Sequence, residues 1–208
     1  MTAGLITPEQ SNNKNLVTNI FNNIESKIVN LPTGKFSDLD PQTFSLSKTL
    51  SDSQTSILLN AAEDIAGIKR LEDFTKIYIV KKHDQLDALI LPIRGYGLWS
   101  TLYGYFAIEP DGLTAKGITF YAHKETPGLG GEVDKPWFQN NFVGKRFIDE
   151  DGNLVGIKVV KGKANPDSPY EVDGISGATI TSKGLESFLV EDLKKYEPFF
   201  RKIRSGEV

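Results

Sequence analysis

The sequence predicts an α+β fold, in which a single domain contains a twisted, mostly antiparallel sheet flanked by helices. Short runs rich in Ile, Leu, Tyr and Phe follow one another between residues 75 and 160, each bounded by turn residues. Helical patterns lie before and after these strands and do not alternate with them, which disfavours repeated β-α-β units. The chain has 208 residues, a length that one hydrophobic core can fill.

The N-terminal elements are predicted from apolar periodicity. Residues 10–31 are predicted to form an amphipathic helix that stops at Pro32, because apolar side chains recur at helical spacing. Residues 32–56 are rich in Ser, Asp, Thr and Pro and are predicted to be a loop-rich excursion. A second helical face is predicted for residues 57–68. The apolar positions of the two helices are Leu16, Val17, Ile20, Phe21, Ile24 and Ile28, and Ile57, Ala61, Ile65 and Ile68.

The sheet core is predicted for residues 75–160. Its strands are KIYIVKK, LDALILPI, LWSTLYGYFAI and LTAKGITFYAH, with a hairpin turn at Pro110–Gly112, and a later strand NLVGIKVVKG follows a turn around Gly152. Residues 173–198 are predicted to hold a glycine-rich motif and a terminal helix that ends near Pro198.

The composition excludes several classes of function. The chain is 25% charged and 39% hydrophobic with a net charge of −3, so it is neither a disordered segment nor a good binder of nucleic acid. It has no cysteine and two histidines, which excludes thiolate catalysis, zinc-thiolate sites, iron–sulfur clusters and multi-histidine metal sites. We therefore predict no metal ligands and no catalytic residues, and any electron transfer would need an organic cofactor.

Three glycine-rich segments, residues 94–100, 123–138 and 173–184, are the candidate binding loops, although each alone could be an ordinary surface loop. Neither a P-loop nor a dinucleotide-binding motif is present. In the third segment, small residues precede Thr179, and Thr181 or Ser182 could cap a helix. A phosphate at Thr179 would then lie beside a helix N-terminus, but a helix cap without a ligand fits equally well. The small residues are Ser176, Gly177 and Ala178.

The second segment could bind a planar heterocycle. Thr126, Gly128 and Leu129 would form a tight loop with exposed backbone amides, and Glu125 would be an anionic acceptor beside it. Trp99, at the end of the first segment, could pack on the ring. The alternatives are a solvated carboxylate for Glu125 and a core or rim aromatic for Trp99.

The segments SGAT, residues 176–179, and ETPGLGGE, residues 125–132, resemble the two hallmarks of the FMN-binding domain family. The resemblance implies that FMN is attached through a phosphoester to Thr179, and that an ApbE-type flavin transferase installs it from FAD. It also implies which residues surround the flavin. These are Trp99, Glu125, Thr126, Gly128, Leu129, Ser176, Gly177 and Ala178.

The wider sequence is similar to the family of C subunits of sodium-translocating NADH:quinone oxidoreductases, through GLWSTLYGYFAIEPDG, IAGIKR and YEPFFRKIR. This similarity implies an electron-transfer subunit on the periplasmic side of a bacterial inner membrane. Its partners would be the other membrane subunits, especially the FMN-carrying B subunit. The alternatives are the G subunit of an Rnf-type complex, another FMN-binding electron carrier, or a non-redox assembly module.

Members of the C-subunit family begin with one membrane-spanning helix, and no segment here approaches the roughly 20 apolar residues that such a helix needs. We therefore expect that the anchor has been removed and that the remaining domain is soluble. Residues 1–9 are interpreted as an artificial chain start or as a linker that follows the anchor.

Overall fold

A computed structural model describes residues 24–207 and confirms the α+β fold with a mainly antiparallel sheet. Six strands form the main sheet in the order β2-β1-β5-β6-β7-β8, and every neighbouring pair is antiparallel. Two small two-stranded sheets accompany it. The strands are β1 Ile24–Asn30, β2 Lys35–Ser37, β3 Ser56–Leu58, β4 Arg70–Glu72, β5 Phe74–Lys82, β6 Gln85–Tyr96, β7 Thr101–Ile108, β8 Ala115–Ala122, β9 Lys158–Val159 and β10 Glu171–Val172.

In the part of the chain that the structure describes, four α-helices flank the sheet: α1 Leu46–Ser51, α2 Pro136–Gln139, α3 Thr179–Lys194 and α4 Glu197–Ser205. Two 3₁₀ turns, Gly130–Asp134 and Asn140–Phe142, flank α2. Within residues 24–207, no helix combines the length and the apolar character that crossing a bilayer requires.

The predicted helix over residues 10–31 is wrong where the structure describes it, because residues 24–30 form strand β1. The spacing of four between Ile24 and Ile28 fits one face of a helix, but it also fits one face of a strand, whose period is two. Pairing with β5 along the whole of β1 decides between them. The remainder of the prediction, residues 10–23, lies outside the described residues.

The predicted helical face at residues 57–68 is also wrong. Ile57 belongs to β3, which pairs with β4, and the segment between these strands is built from turns. Gly67 and Lys69 adopt positive φ angles of 64°, which a continuous helix does not allow. Ile57 and Ile65 are exposed and therefore form no buried stripe.

The terminal helix ends earlier than predicted, at Lys194, and a second helix, α4, begins at Glu197. Pro198 lies in the first turn of α4, where a missing N–H costs nothing. The later strand NLVGIKVVKG is reduced to β9, which pairs in parallel with β10.

The hydrophobic core lies between one face of the main sheet and helices α3 and α4. Helix α3 approaches β6 closely at two glycines. A Cβ on Gly95 would overlap the Phe188 side chain, and a Cβ on Gly184 would lie 2.8 Å from the Tyr96 carbonyl oxygen. These contacts fix the position of α3 over the end of β6. The fully buried aromatic residues are Phe106, Phe138, Phe142, Phe147, Phe188, Tyr196, Phe199 and Phe200.

A buried cluster of two acids and two bases joins the far end of α3 to the sheet. The ammonium group of Lys195 contacts the carboxylates of Glu72 at 2.9 Å and Asp192 at 2.6 Å. The Arg94 guanidinium lies 2.6 Å from Glu72, and the backbone N–H of Arg94 donates to Asp192. Because Arg94 belongs to β6, this buried ionic cluster ties the helix to the strand that leads into residues 97–100.

The buried ionic cluster predicts acid-dependent stability. Burial would raise the pKa of Glu72, but the charges of Lys195 and Arg94 outweigh it and lower the pKa from 4.5 to about 2. A lowered pKa gives stability that is complete above pH 4.5 and is lost as the pH falls toward 2. For Glu72 this contribution is about 3 kcal/mol.

We expect urea unfolding to show that the wild-type protein loses this stability between pH 4.5 and 2, whereas Glu72→Gln is already destabilised at pH 7. The two curves of unfolding free energy against pH should converge near pH 2. Asp192 also affects how stability depends on pH, because burial raises its pKa. The contribution of Glu72 is therefore measured as the difference between the wild-type curve and the Glu72→Gln curve. Parallel curves would contradict this role of Glu72.

Candidate functional site

Thr179 is the first residue of α3 and is exposed to solvent. The first turn of an α-helix leaves backbone N–H groups without intrahelical partners, and the helix dipole is positive there. Gly177, which lies just before the N-cap residue Ala178, has a φ of 74°, a conformation that residues with a Cβ rarely adopt. The sequence therefore folds so that one hydroxyl stands at a helix N-terminus that can receive an anion.

The prediction that Thr181 or Ser182 caps this helix is wrong. Both residues lie inside α3, whose N-cap position is Ala178, and both side chains are buried. The Thr181 hydroxyl donates to Glu125, and the Ser182 hydroxyl accepts from the backbone N–H of Ile175. Thr179 is consequently the hydroxyl of this first turn that faces solvent.

A groove of about 400 Å³ opens beside Thr179. Trp137 and Lys183 belong to its lining, together with two backbone segments, residues 159–163 and 173–177. Of the predicted site residues, Ser176, Gly177 and Thr179 line this groove. The other predicted site residues lie outside its lining, namely Trp99, Glu125, Thr126, Gly128, Leu129 and Ala178.

Glu125 is the structural centre of the site. Glu125 is only 5% exposed. One oxygen of its carboxylate accepts hydrogen bonds from the backbone N–H groups of residues 98, 99 and 100 at 2.9–3.2 Å. The other oxygen accepts from the Thr181 hydroxyl at 2.8 Å. Glu125 thus joins three segments, the loop at residues 97–100, its own loop and the first turn of α3, and the alternative of a solvated carboxylate is wrong.

Hydrogen bonds keep Glu125 ionised. Burial on its own would raise the pKa of this carboxyl, but the Trp99 N–H, the Thr181 hydroxyl and the Ser100 N–H together lower the pKa below its ordinary value. Two glycines make room for the carboxylate. A Cβ on Gly97 would lie 2.8 Å from one carboxylate oxygen, and a Cβ on Gly130 would lie 2.8 Å from the other.

Of the remaining predicted residues, Ala178 is buried, and the other four present an exposed rim. Trp99 is 66% exposed at the end of the loop that Glu125 holds, and Leu129 is 43% exposed. A Cβ on Gly177 would lie 2.8 Å from the Leu129 side chain, so Leu129 borders the segment that leads to Thr179. Thr126 and Gly128 are exposed as well.

The sequence predicts the right segments but not every residue of the groove. Trp137 lies in the second glycine-rich segment and Asp173 begins the third, yet neither is among the predicted site residues. Asp173 accepts from Lys163 at 2.6 Å and from the Ala164 N–H at 2.9 Å, which fixes one side of the groove. In the sequence, the only indication of a groove wall that could contact a ring was Trp137 itself, in the stretch DKPWF.

The described residues form no metal centre, and no histidine lines the groove beside Thr179. Over residues 24–207, no group of three or more His, Cys, Asp or Glu side chains is placed to hold a metal ion. The Nδ1 atom of His123 accepts from the backbone N–H of Glu125 at 3.2 Å, so this residue supports the loop from the end of strand β8.

Replacing Glu125 by Gln is expected to lower the free energy of unfolding by about 1.5–3 kcal/mol, the cost of hydrogen bonds to a charged group. The amide cannot accept from Thr181 and from three N–H groups at once in the same geometry. Urea unfolding measures the global effect, and amide hydrogen exchange at residues 98–100 measures the local one. Glu150→Gln, at an exposed turn position, is the control, and unchanged exchange at residues 98–100 in Glu125→Gln would contradict the role of Glu125.

FMN fits the residues that are present. Thr179 offers an exposed hydroxyl, the start of α3 offers N–H donors to a phosphate, and the groove is large enough for a planar tricyclic ring. In such an arrangement Thr179 would hold the phosphate, and the walls of the groove would contact the ring.

Comparisons with known proteins identify relatives of this chain. The FMN-binding domain family matches residues 97–192, which include Glu125, Thr179 and the whole groove lining. The C subunit of the Na(+)-translocating NADH-quinone reductase of Yersinia pestis is 45% identical over 186 residues, covering 88% of this chain and 70% of the relative. The same subunit of Pseudomonas aeruginosa is 47% identical over 190 residues, covering 88% and 72%.

Solved structures give the same result. The crystal structure of NqrC from Shewanella oneidensis matches with a TM-score of 0.82 and 30% sequence identity, covering 94% of this chain and 91% of that one. The C subunit of the Na(+)-translocating NADH-quinone reductase from Parabacteroides distasonis matches with a TM-score of 0.68 and 29% identity, covering 94% and 84%. The chain therefore belongs to the family of C subunits of Na(+)-translocating NADH-quinone reductases.

Proposed function

We propose that this chain is an electron-transfer subunit of a sodium-translocating NADH:quinone oxidoreductase that carries FMN in phosphoester linkage to Thr179 and relays electrons between redox centres. One observation carries the proposal. The Thr179 hydroxyl is exposed at the N-terminus of α3 and opens onto a groove, whereas the neighbouring hydroxyls of Thr181 and Ser182 are buried.

The attachment is a phosphoryl transfer from FAD, catalysed by an ApbE-type flavin transferase. The Thr179 oxygen forms a bond to the phosphorus on the FMN side of FAD, the pyrophosphate bond breaks, and AMP leaves with the electron pair. The hydroxyl proton is released. Exposure of Thr179 is required for this reaction, because a separate enzyme must reach its oxygen.

After attachment, the protein binds and orients the cofactor. The N-terminus of α3 would face the phosphate, and Lys161 and Lys183, which line the groove, would offset the negative charge of the phosphoester, whereas Lys163 is already paired with Asp173. The bound FMN supplies the redox chemistry of electron transfer. Glu125 joins the loop at residues 97–100 and its own loop to the first turn of α3, the helix that carries Thr179.

The exposed apolar side chains around Thr179 support a role as a docking face for redox partners, which we propose include the FMN-carrying B subunit. Trp99, Leu129 and Ile180 are all exposed near the start of α3 or on the loops that contact it. Clustered exposed apolar side chains mark interaction sites on protein surfaces. We propose a location on the periplasmic side of the bacterial inner membrane, as part of the membrane-bound complex.

Coexpression with an ApbE-type flavin transferase tests the proposal. We expect a yellow protein whose flavin fluorescence survives in a denaturing gel and whose visible absorption bleaches on reduction and returns on oxidation. Expression without the transferase is the control. A colourless protein from the coexpressing host would overturn the proposal and favour a non-redox assembly module.

A further inference from the structure

We propose that strand β3 and the turns that follow it form a second docking surface, which binds an apolar, positively charged segment of another subunit of the oxidoreductase. This inference rests on the proposed place of the chain in a multi-subunit complex and adds where the domain is held. Ile57 and Ile65, on this part of the chain, are 58% and 59% exposed. Large aliphatic side chains that gather on a surface mark interaction sites.

The exposed aliphatic side chains lie beside a groove of about 270 Å³, which we call the β3 groove. Its lining shares no residue with the groove at Thr179. Ile57 faces the β3 groove, because it pairs across the ladder with Leu71 and lies two residues from Leu59, and both of these line the groove. The aliphatic residues of the lining are Leu59, Ala66, Ile68 and Leu71.

Hydrogen bonds order the turns that carry this surface. The backbone N–H of Tyr96 donates to the Ala66 carbonyl at 2.7 Å, which ties the turns to the end of β6. The two carboxylate oxygens of Asp64 accept from the N–H groups of Ile68 and Lys69, each at 2.8 Å. A segment that is already ordered loses less entropy when a partner binds. The aliphatic side chains are therefore presented on a preorganised surface.

The charges of the β3 groove favour a basic partner. Glu63, Asp64 and Glu191 belong to its lining. Lys194 pairs with Glu191 at 2.6 Å, and the ammonium group of Lys195 contacts two buried carboxylates. Among the described residues, no cation forms an ion pair with Glu63 or Asp64. The excess negative charge complements Lys or Arg and repels anionic lipid headgroups, so a protein segment fits this surface better than a membrane does.

The β3 groove and the attachment site lie at opposite ends of α3. Thr179 is the first residue and Lys194 the last of the 16 residues of this helix, and Lys194 lines the β3 groove. Sixteen helical residues span about 24 Å. A subunit bound at the β3 groove would therefore leave the surface around Thr179 free for electron exchange.

Two neighbouring residues of β3 allow a matched photo-cross-linking experiment on the intact complex in membranes. A benzophenone amino acid replaces Ile57 in one variant and Leu58 in the other. Leu58 is 69% exposed but points to the opposite face of the strand. We expect ultraviolet light to join position 57 to a peptide of another subunit in which Lys or Arg lies beside apolar residues. Position 58 should give several-fold less of this product.

Glu63→Lys tests the charge of the partner. We expect several-fold less of this chain to remain in the complex when it is purified through another subunit, with a larger loss at low salt than at high salt. Glu150→Lys, at an exposed turn position, is the control and should leave retention unchanged. Unchanged retention in Glu63→Lys, or an equal loss in Glu150→Lys, would contradict a positively charged partner at the β3 groove.

The outcomes separate this inference from the proposed function. Equal cross-linking from positions 57 and 58, or a product at position 57 with lipid, with a second copy of this chain or with no other subunit, would overturn this inference alone. Absence of the wild-type chain from the purified complex would overturn both. A protein without covalent flavin that still cross-links at position 57 would support this inference and contradict the proposed function.

Discussion

Replacing Thr179 by Ala is expected to abolish covalent flavin completely, whereas Thr179→Ser should retain it. Alanine removes the oxygen that forms the bond to phosphorus, and serine keeps that oxygen at the same backbone position. In-gel flavin fluorescence after coexpression with the transferase measures the effect. Because Thr179 is exposed, neither change should lower the free energy of unfolding by more than about 0.5 kcal/mol.

Neighbouring hydroxyls should not rescue Thr179→Ala. Thr181 is 1% exposed and its hydroxyl is bonded to Glu125, so a transferase cannot reach its oxygen. Thr181→Val is the matched control, and we expect it to retain covalent flavin while losing some stability. Covalent flavin that persists in Thr179→Ala would place the attachment elsewhere and contradict the proposed function.

Replacing Lys195 by Met is expected to destabilise the protein by about 3–5 kcal/mol, the cost of breaking a buried ion pair by removing one partner. The Lys195 side chain is 2% exposed and contacts both Glu72 and Asp192. Although burial opposes its charge, these two carboxylates raise the pKa of Lys195 above its ordinary value. Methionine would leave two buried carboxylates with Arg94 as the remaining cation of the cluster.

The adjacent lysine provides the control for this prediction. Lys194 has a side chain that is 57% exposed and pairs with Glu191 on the helix surface. Exposed pairs of this kind contribute little, so Lys194→Met should change the free energy of unfolding by less than about 1 kcal/mol. Urea unfolding at pH 7 measures both variants. Similar losses in the two would contradict the importance of the buried ionic cluster.

The sheet could be predicted because its strands carry local signals. Strands β5 to β8 are rich in β-branched, aromatic and aliphatic residues, with turn residues between them. Strand β1 could not be predicted, because an apolar spacing of four satisfies both periods and only pairing with β5, some 50 residues later, decides. The prediction of a helix at residues 57–68 failed for a related reason. Strands β3 and β4 are each three residues long, and they are stabilised by pairing with each other.

The candidate site was partly predictable as well. The motifs around Glu125 and Thr179 resemble a known family, and the structure brings them together through a hydrogen bond between residues 56 positions apart. The burial of Glu125 could not be predicted, because its partners come from a loop 25–27 positions earlier and from α3. Trp137 was missed because the groove that it lines is shared with β9, and only folding brings these two parts of the chain to one groove.

The most direct test of the account is the intact mass of the protein purified from a host that coexpresses the flavin transferase, followed by mass analysis of the peptide that contains residues 173–183. We predict a mass increase of one FMN less one water, located on Thr179. An unchanged mass, or the same increase on a peptide without Thr179, would contradict the central claim that this residue carries the cofactor.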